Sequence, residues 1–163
     1  EGFPYLGFLY AGLMIEGDEI KVLEFNCRFG DPETQPIMLR LESSLTNLCL
    51  DAINKKLDAH QIEWSSMHSC GVVLASAGYP EDYETDFEID IKNHFSENEK
   101  LFHAGTKFVD NKILTSGGRV FCMTALGETL EIAIDNAYNA IPKINFEGMF
   151  FRSDIGKKGL KND

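Results

Sequence analysis

Residues 22–33 read VLEFNCRFGDPE, an apolar run that carries a carboxylate, an amide and a guanidinium at alternate positions. Alternate residues of a β-strand face the same side, so Glu24, Asn26 and Arg28 are predicted to line one face of a strand. The other face, which is predicted to pack into a core, carries Leu23, Phe25 and Cys27.

These three polar side chains have the chemistry of a phosphate site. A carboxylate oxygen and an amide oxygen suit a hard cation, so Glu24 and Asn26 are predicted to bind Mg²⁺ or Mn²⁺. The planar guanidinium of Arg28 suits a carboxylate or phosphate, which it can bind with two parallel hydrogen bonds. A metal ion beside a cation that holds an anionic substrate is the usual equipment of phosphoryl transfer.

Length and composition limit the possible classes of protein. The 163 residues, 44% of them hydrophobic, suffice for one ordinary domain or two small ones. A net charge of −11 argues against a nucleic-acid partner, because there is no basic surface to neutralise phosphates. No apolar run approaches the roughly 20 residues of a membrane helix, so no membrane partner is expected.

The termini and the thiols add two expectations about context. The four cysteines are scattered and form no C-x-x-C pair, which predicts neither a zinc site nor a redox motif and fits a reducing cytoplasm. The chain begins with Glu1 and opens directly on a strand-like run. We therefore expect a segment of a longer protein whose beginning lies upstream.

The first part of the chain predicts a hairpin followed by helices. Apolar runs at residues 6–15 and 20–27 flank a polar, glycine-containing turn, which is typical of two antiparallel strands. A helix is predicted to begin with Asp31 as its N-cap and proline next, and to run to about Ser43. Apolar residues then recur at helical spacing from 45 to 57.

The second part predicts consecutive antiparallel strands covered by a helix. Residues 58–68 lack a period and are interpreted as a linker (59–68 in the narrower assignment) between a first unit, 1–58, and a second, 69–163. Strands are predicted at 70–77, 87–91, 101–109, 112–115, 119–125 and 146–152. A helix is predicted to start at Gly127, with a buried stripe formed by Leu130, Ala133, Ile134, Ala137, Tyr138 and Ile141. The fold class is therefore α+β.

Several blocks of the sequence resemble one enzyme family. They are LEFNCRFGDPETQ at 23–35, SAGYP at 76–80, FHAGT at 102–106, TSGGRV at 115–120, TALG at 124–127 and FRSDIG at 151–156. The first block resembles the wider ATP-grasp superfamily. All of them together, in this order, resemble the glycinamide ribonucleotide synthetase (phosphoribosylamine–glycine ligase) family from about residue 5 to residue 156.

The resemblance implies the C-terminal part of an ATP-grasp domain, hairpin plus helices, followed by a small antiparallel sheet with a helix. It implies an ATP-dependent ligase that joins glycine to 5-phosphoribosylamine in purine biosynthesis, with ATP and Mg²⁺ or Mn²⁺ as cofactors. The N-terminal part of such an enzyme, with the lysines that hold the nucleotide phosphates, is missing from this sequence. We therefore expect these residues alone to be inactive and to bind nucleotide too weakly to measure.

The resemblance also implies roles for individual residues. Glu24 and Asn26 match the metal ligands, and Arg28 matches the catalytic, substrate-side arginine; its alternative is an ion pair with Asp31 or Glu33. The further substrate contacts implied are Gly30, Asp31, Gly118 and Arg119, and Leu13 is implied to touch the nucleotide. The alternatives are a helix cap for Asp31, a glycine bend with an exposed arginine at 117–119, and core packing for Leu13.

Two other functions stay open at this point. One is an ATP-grasp carboxylase of the biotin or aminoimidazole ribonucleotide type, which would share the E-x-N-x-R pattern; the blocks at 102–106 and 115–120 argue against it. The other is a non-catalytic acidic α+β module. Bicarbonate-dependent ATP hydrolysis would distinguish the first from a glycine ligase.

Overall fold

The computed structural model describes residues 2–57, 62–92 and 94–162. It begins with an antiparallel hairpin of β1 (Tyr10–Glu16) and β2 (Glu19–Asn26), followed by the helices α1 (Thr34–Arg40) and α2 (Leu45–Ile53). The remaining strands are β3 (His68–Ser76), β4 (Asp90–Ile91), β5 (Glu99–His103), β6 (Thr106–Val109), β7 (Lys112–Thr115), β8 (Arg119–Gly127), β9 (Ile144–Asn145) and β10 (Met149–Phe150), with α3 (Leu130–Ala140) after β8. The predicted α+β class is confirmed.

The hairpin is paired from Tyr10 opposite Asn26 to Glu16 opposite Glu19. Its first strand begins at Tyr10, later than the predicted run of 6–15, and the ring of Phe8 before it stacks on that of Phe29 with centroids 4.0 Å apart. The register shifts between Gly12 and Leu13. Gly12 lies opposite Glu24 and Leu13 lies opposite Val22, so the pairing passes over Leu23.

One face of the hairpin is exposed in the part of the chain that the structure describes. Leu23 and Phe25 are 63% and 60% exposed, and Cys27 is also exposed. The prediction that they pack into a core is therefore wrong for the residues described here. The physical reason is that, among the described residues, the hairpin forms a two-stranded sheet that pairs with no further strand.

Both helices after the hairpin are shorter than predicted. Residues 31–33 form turns, and α1 begins at Thr34 with Glu33 as the N-cap residue, so the predicted cap at Asp31 is wrong. The carbonyl oxygen of Gly30 accepts from the backbone N–H of Thr34 at 3.1 Å, which fixes the turn without help from Asp31. The second helix ends at Ile53, and the Ser44 hydroxyl accepts from the N–H of Asn47 at its start.

The core lies between one sheet and α3. The sheet is antiparallel in the order β10-β3-β8-β5. On one of its faces, buried side chains from β3 and β8 pack against α3; they include Cys70, Val72, Leu74, Phe121, Met123 and Ala125 from the strands and Ala133, Ile134 and Ala137 from the helix. The predicted helical stripe is confirmed, although the helix begins at Leu130 because Thr129, and not a residue nearer Gly127, provides the N-cap.

Helix α1 covers the opposite face of the same sheet. Pro36 lies 2.9 Å from the position that a Cβ on Gly71 would occupy, so only glycine allows this approach. The Ser69 hydroxyl donates to the carbonyl oxygen of Pro36 at 3.0 Å. Ser69 and Gly71 alternate with the core residues of β3, and the helix that follows the hairpin is thus anchored on the second half of the chain.

The predicted strands of the second half are mostly present with altered limits. The predicted strand 101–109 is split into β5 and β6 at Gly105, which lies close to Gly117. Strand β6 pairs with β7 in a separate hairpin. That hairpin turns at Asp110 and Asn111, with φ values of 48° and 66°, as the sequence predicts. The predicted strands 87–91 and 146–152 reduce to the short β4 and β10, and β9 lies just before the second predicted range and was not predicted.

Part of the predicted linker lies outside the described residues, namely 58–61. Trp64, within the same stretch, pairs with Leu41 as an isolated bridge. Among the described parts of the chain, no helix is both long enough and apolar enough to cross a membrane.

Candidate functional site

The structure brings the predicted metal ligands together on β2. The Asn26 side-chain nitrogen donates to Glu24 Oε1 at 2.9 Å, so both groups face the same side of the strand. Glu24 is exposed and Asn26 is half-buried. Because the amide uses its nitrogen for this contact, its oxygen and the second carboxylate oxygen of Glu24 remain available for a cation.

Tyr10 and Gly12 complete this face from β1. Gly12 lies opposite Glu24, and a Cβ at Gly12 would stand 3.0 Å from Glu24 Cγ. Tyr10 lies opposite Asn26, and its ring covers the buried Gly30, whose Cβ would stand 2.8 Å from the ring. Small residues at 12 and 30 therefore allow the Glu24 side chain and the Tyr10 ring to occupy this corner.

Tyr10 and Glu33 are residues that the sequence analysis missed. The Tyr10 hydroxyl donates to Glu33 Oε1 over a long 3.4 Å. The negative charge of Glu33 raises the pKa of Tyr10 above its ordinary value, with burial and the charge of Glu24 acting in the same direction and Arg28 opposing them. The only signal in the sequence was the register itself, since Tyr10 stands opposite Asn26 once the hairpin is paired.

Arg28 lies just past the end of β2 and is exposed. Its Nη1 donates to the carbonyl oxygen of Phe29 at 2.9 Å, and no ion pair is recorded between Arg28 and Asp31 or Glu33 within the described residues. The structure therefore does not contain the local ion pair of Arg28 that was the alternative from the sequence. One edge of the guanidinium is thus free to meet an anion.

Asp31 and Arg119 pair with each other. Arg119 Nη2 lies 2.9 Å from Asp31 Oδ2, and Arg119 Nη1 donates to the backbone carbonyl oxygen of Asp31 at 3.3 Å. The contact joins the segment after the hairpin to the first residue of β8. The alternative of a helix cap does not describe Asp31, and Arg119 is a partly exposed arginine after a glycine bend that also makes an ion pair.

Gly118 and Leu13 make other contacts than those predicted. A Cβ at Gly118 would stand 2.2 Å from the Tyr79 ring and 2.9 Å from that of Tyr83, so glycine here makes room for two aromatic side chains. Leu13 follows Gly12 on β1, lies opposite Val22 and is 46% exposed. In the described part of the chain it is therefore not a core residue, which was the alternative from the sequence.

The donor set fits a cation that takes most of its ligands from elsewhere. Within residues 2–57, 62–92 and 94–162, no group of three or more His, Cys, Asp or Glu side chains could hold a metal ion. Glu24 and Asn26 provide one charged and one neutral oxygen, whereas Mg²⁺ takes about six oxygens, several of them from waters and substrate phosphates. The pair therefore fits Mg²⁺ or Mn²⁺ bound together with a nucleotide.

Comparisons with known proteins point to one family. The profile described as "Phosphoribosylglycinamide synthetase, ATP-grasp (A) domain" matches residues 1–34, and "Phosphoribosylglycinamide synthetase, C domain" matches residues 69–158. The chain is 52% identical to "Phosphoribosylamine--glycine ligase" of Vibrio vulnificus over its whole length and covers 38% of that relative. It is 51% identical to the protein of the same name from Salmonella typhimurium, of which it covers 39%.

A solved structure gives the same picture. The crystal structure of phosphoribosylamine–glycine ligase from Thermotoga maritima superposes with a TM-score of 0.81 at 37% identity, over 94% of this chain and 38% of that one. The chain therefore spans well under half the length of the relatives it matches. Since the C-domain profile alone covers more than half of the chain, the chain belongs to the phosphoribosylglycinamide synthetase family.

Proposed function

We propose that the chain is the C-terminal part of an ATP-dependent ligase that joins glycine to 5-phosphoribosylamine and yields glycinamide ribonucleotide. In the proposed reaction the glycine carboxylate attacks the terminal phosphate of ATP, giving glycyl phosphate and ADP. The amine of phosphoribosylamine then attacks the carbonyl carbon and releases phosphate. The single observation that carries this proposal is the convergence of Glu24 and Asn26 on one strand face, with Arg28 two residues further along the chain.

Each residue of this face has a part in the proposal. Glu24 and Asn26 would hold Mg²⁺ or Mn²⁺, which when bound offsets the repulsion between the phosphates and the attacking carboxylate. Arg28 would bind an anionic group of the substrates with the edge that Phe29 does not use. Gly30 stays among the proposed contacts through its place in the site, where it lies under the Tyr10 ring and its carbonyl oxygen accepts from Thr34.

The proposal also includes the other residues that were predicted to contact substrate or nucleotide. Asp31 and Arg119 already satisfy each other, and Gly118 lies beneath Tyr79 and Tyr83. Leu13 and Gly118 would meet the nucleotide or substrate only with the rest of the enzyme against this surface. Asp31 and Arg119, whose side chains already pair, would act on the site through that pairing.

Exposed apolar side chains near the start of the chain support the proposal that an upstream part of the enzyme packs there. Phe3, Leu9, Ile15, Ile20, Leu23 and Phe25 are all exposed on the first 25 residues. Large apolar side chains exposed in such number on one short stretch of chain mark an interaction surface. We propose that the upstream part of the same enzyme covers it. We further propose a cytoplasmic enzyme whose units are residues 1–58 and 69–163, joined by 59–68.

The test is a coupled assay of the complete polypeptide. We expect ADP and phosphate to form only when glycine and 5-phosphoribosylamine are both present. Turnover that depends on bicarbonate instead would contradict the glycine ligase and favour a carboxylase. The 163 residues alone are expected to show no glycine-dependent ATP hydrolysis and no measurable heat on titration with Mg·ATP. Tight binding by this segment would contradict the view that the other wall of the nucleotide site lies upstream.

A further inference from the structure

A single guanidinium holds two different atoms of the segment that follows the hairpin. Arg119 contacts the side chain of Asp31 through Nη2 at 2.9 Å and the backbone carbonyl oxygen of Asp31 through Nη1 at 3.3 Å. The two residues are 88 positions apart in the chain. A contact to both side chain and backbone fixes the position of a residue more closely than an ion pair between two mobile side chains does.

The Arg119 end of this contact is anchored in the sheet. Ser76, at the end of β3, donates its backbone N–H to the carbonyl oxygen of Gly118 at 2.8 Å and its hydroxyl to that of Gly117 at 3.0 Å. The backbone N–H of Gly105 donates to the carbonyl oxygen of Arg119 at 2.8 Å. The bend before Arg119 is therefore held from two sides, and the arginine projects from a fixed frame.

The Asp31 end lies within the site. Arg28 is three residues before Asp31, and the buried Gly30 immediately precedes it. The backbone N–H and the hydroxyl of Thr34 both donate to the carbonyl oxygen of Gly30, and the Tyr10 ring packs on Gly30. To these contacts Arg119 adds its own, to the carboxylate and to the backbone carbonyl oxygen of Asp31.

We propose that Arg119 is a positioning residue that acts on the reaction through Asp31 and does not bind substrate itself. The inference rests on the proposed function. Arg119 fixes the segment 28–31 against β8, so that the guanidinium of Arg28 stays beside the face that carries Glu24 and Asn26. The C-terminal sheet thereby takes part in forming the active site without contributing a reacting group.

The solvent exposure of the pair separates this role from a stabilising one. The side chains of Arg119 and Asp31 are 38% and 50% exposed. Ion pairs at such exposure contribute little to the free energy of unfolding, because water screens them. Loss of the pair is therefore expected to change turnover far more than it changes the melting temperature.

The test is a double-mutant cycle in the complete enzyme, with Arg119→Ala, Asp31→Ala and the double variant. Each single change is expected to lower kcat roughly tenfold to hundredfold, because small displacements of positioning groups have effects of that size. The KM for 5-phosphoribosylamine is expected to change less than about twofold, since no direct substrate contact is lost. The double variant is expected to be no slower than the slower single variant.

Two further variants complete the cycle. The exchanged pair, Arg119→Asp with Asp31→Arg, is expected to recover part of the lost kcat. The control is Lys112→Ala, which breaks the exposed ion pair of Lys112 with Glu88 in the β6–β7 hairpin and is expected to leave turnover unchanged.

Three outcomes would overturn the inference while the wild-type enzyme remains active. They are losses that add in the double variant, a raised KM for 5-phosphoribosylamine with unchanged kcat in Arg119→Ala, and a fall in melting temperature with normal kcat. A wild-type enzyme without glycine-dependent turnover would instead contradict the proposed function, and the inference with it.

Discussion

The side-chain amide of Asn26 donates to the carboxylate of Glu24 across 2.9 Å on the exposed face of β2. This contact orients both groups before any cation arrives, because it uses the nitrogen of the amide and leaves its oxygen free. The two remaining oxygens carry a single negative charge between them. Affinity for Mg²⁺ without a nucleotide is accordingly expected to be weak.

The first prediction concerns the charge at position 24. Glu24→Gln keeps the size of the side chain but removes the only anionic oxygen of the pair, and kcat of the complete enzyme is expected to fall by at least about 100-fold, since a catalytic metal contributes several kcal/mol. ADP formation at saturating Mg²⁺ measures this. The control is Glu16→Gln, an exposed carboxylate at the far end of β1. Near-normal turnover in Glu24→Gln would contradict the metal assignment.

The second prediction concerns the ring of Tyr10. Tyr10→Phe keeps the ring over Gly30 and removes only the long hydrogen bond to Glu33, so kcat is expected to change less than about fivefold. Tyr10→Ala empties the space beside Gly30 and is expected to lower kcat by about tenfold or more. Steady-state kinetics of the two variants decide this. Equal losses in both would mean that the hydroxyl, and not the ring, is what matters.

The third prediction concerns the core between the sheet and α3. Met123 is fully buried on β8, and Met123→Ala is expected to lower the free energy of unfolding by about 2–5 kcal/mol, since it leaves a cavity. Met14→Ala, on the exposed face of β1, removes the same atoms from a site half open to water. Its expected cost in the isolated chain is below about 1 kcal/mol. Urea denaturation followed by circular dichroism compares the two, and similar losses would contradict the assigned core.

The fourth prediction concerns the thiols. Burial, with a smaller effect of Cys122, raises the pKa of Cys70 from 9.0 to about 11, whereas Cys27 is exposed. A thiol reagent at pH 8 is therefore expected to modify Cys27 first and to reach Cys70 only after denaturation. Equal rates for the two would contradict the packing of β3 under α3. Cys27→Ser is the control that identifies the fast site.

The same shift predicts the sign of a pH dependence. The folded state holds the Cys70 proton more tightly than the unfolded state does. Below pH 9 the thiol is protonated in both states, so this group gives the free energy of unfolding no pH dependence there. Above that, the unfolded state loses the proton first, and the free energy of unfolding is expected to fall as the pH rises toward about 11. Cys70→Ala is expected to flatten this dependence between the two values.

The local pattern of the sequence predicted those features that depend on neighbours along the chain. The alternation from Glu24 to Asn26 placed both groups on one face, and the Asp110–Asn111 turn formed as predicted. The helical spacing after Thr129 gave the buried stripe of α3. Each of these rests on backbone geometry within a few residues, where period and turn chemistry dominate.

Predictions that depended on distant residues were less accurate. Asp31 has the residue type and position of a helix cap, but Arg119 engages its carboxylate, and the helix starts three residues later. Phe25 has the pattern of a core residue, but it is exposed among the residues that the structure describes. Tyr10 was missed because its place beside Gly30 depends on strand pairing and on the turn at residues 31–33.

The order of residues by itself determined the strand that presents a carboxylate and an amide together, since a period of two is a property of the extended backbone. Only the tertiary structure decided that Arg119, at the start of β8, pairs with Asp31 after the hairpin. The same holds for the packing of α1 on the sheet, where Pro36 contacts Gly71. Such contacts arise from the packing of segments far apart in the chain. Their partners are set by shape and burial, which no local pattern encodes.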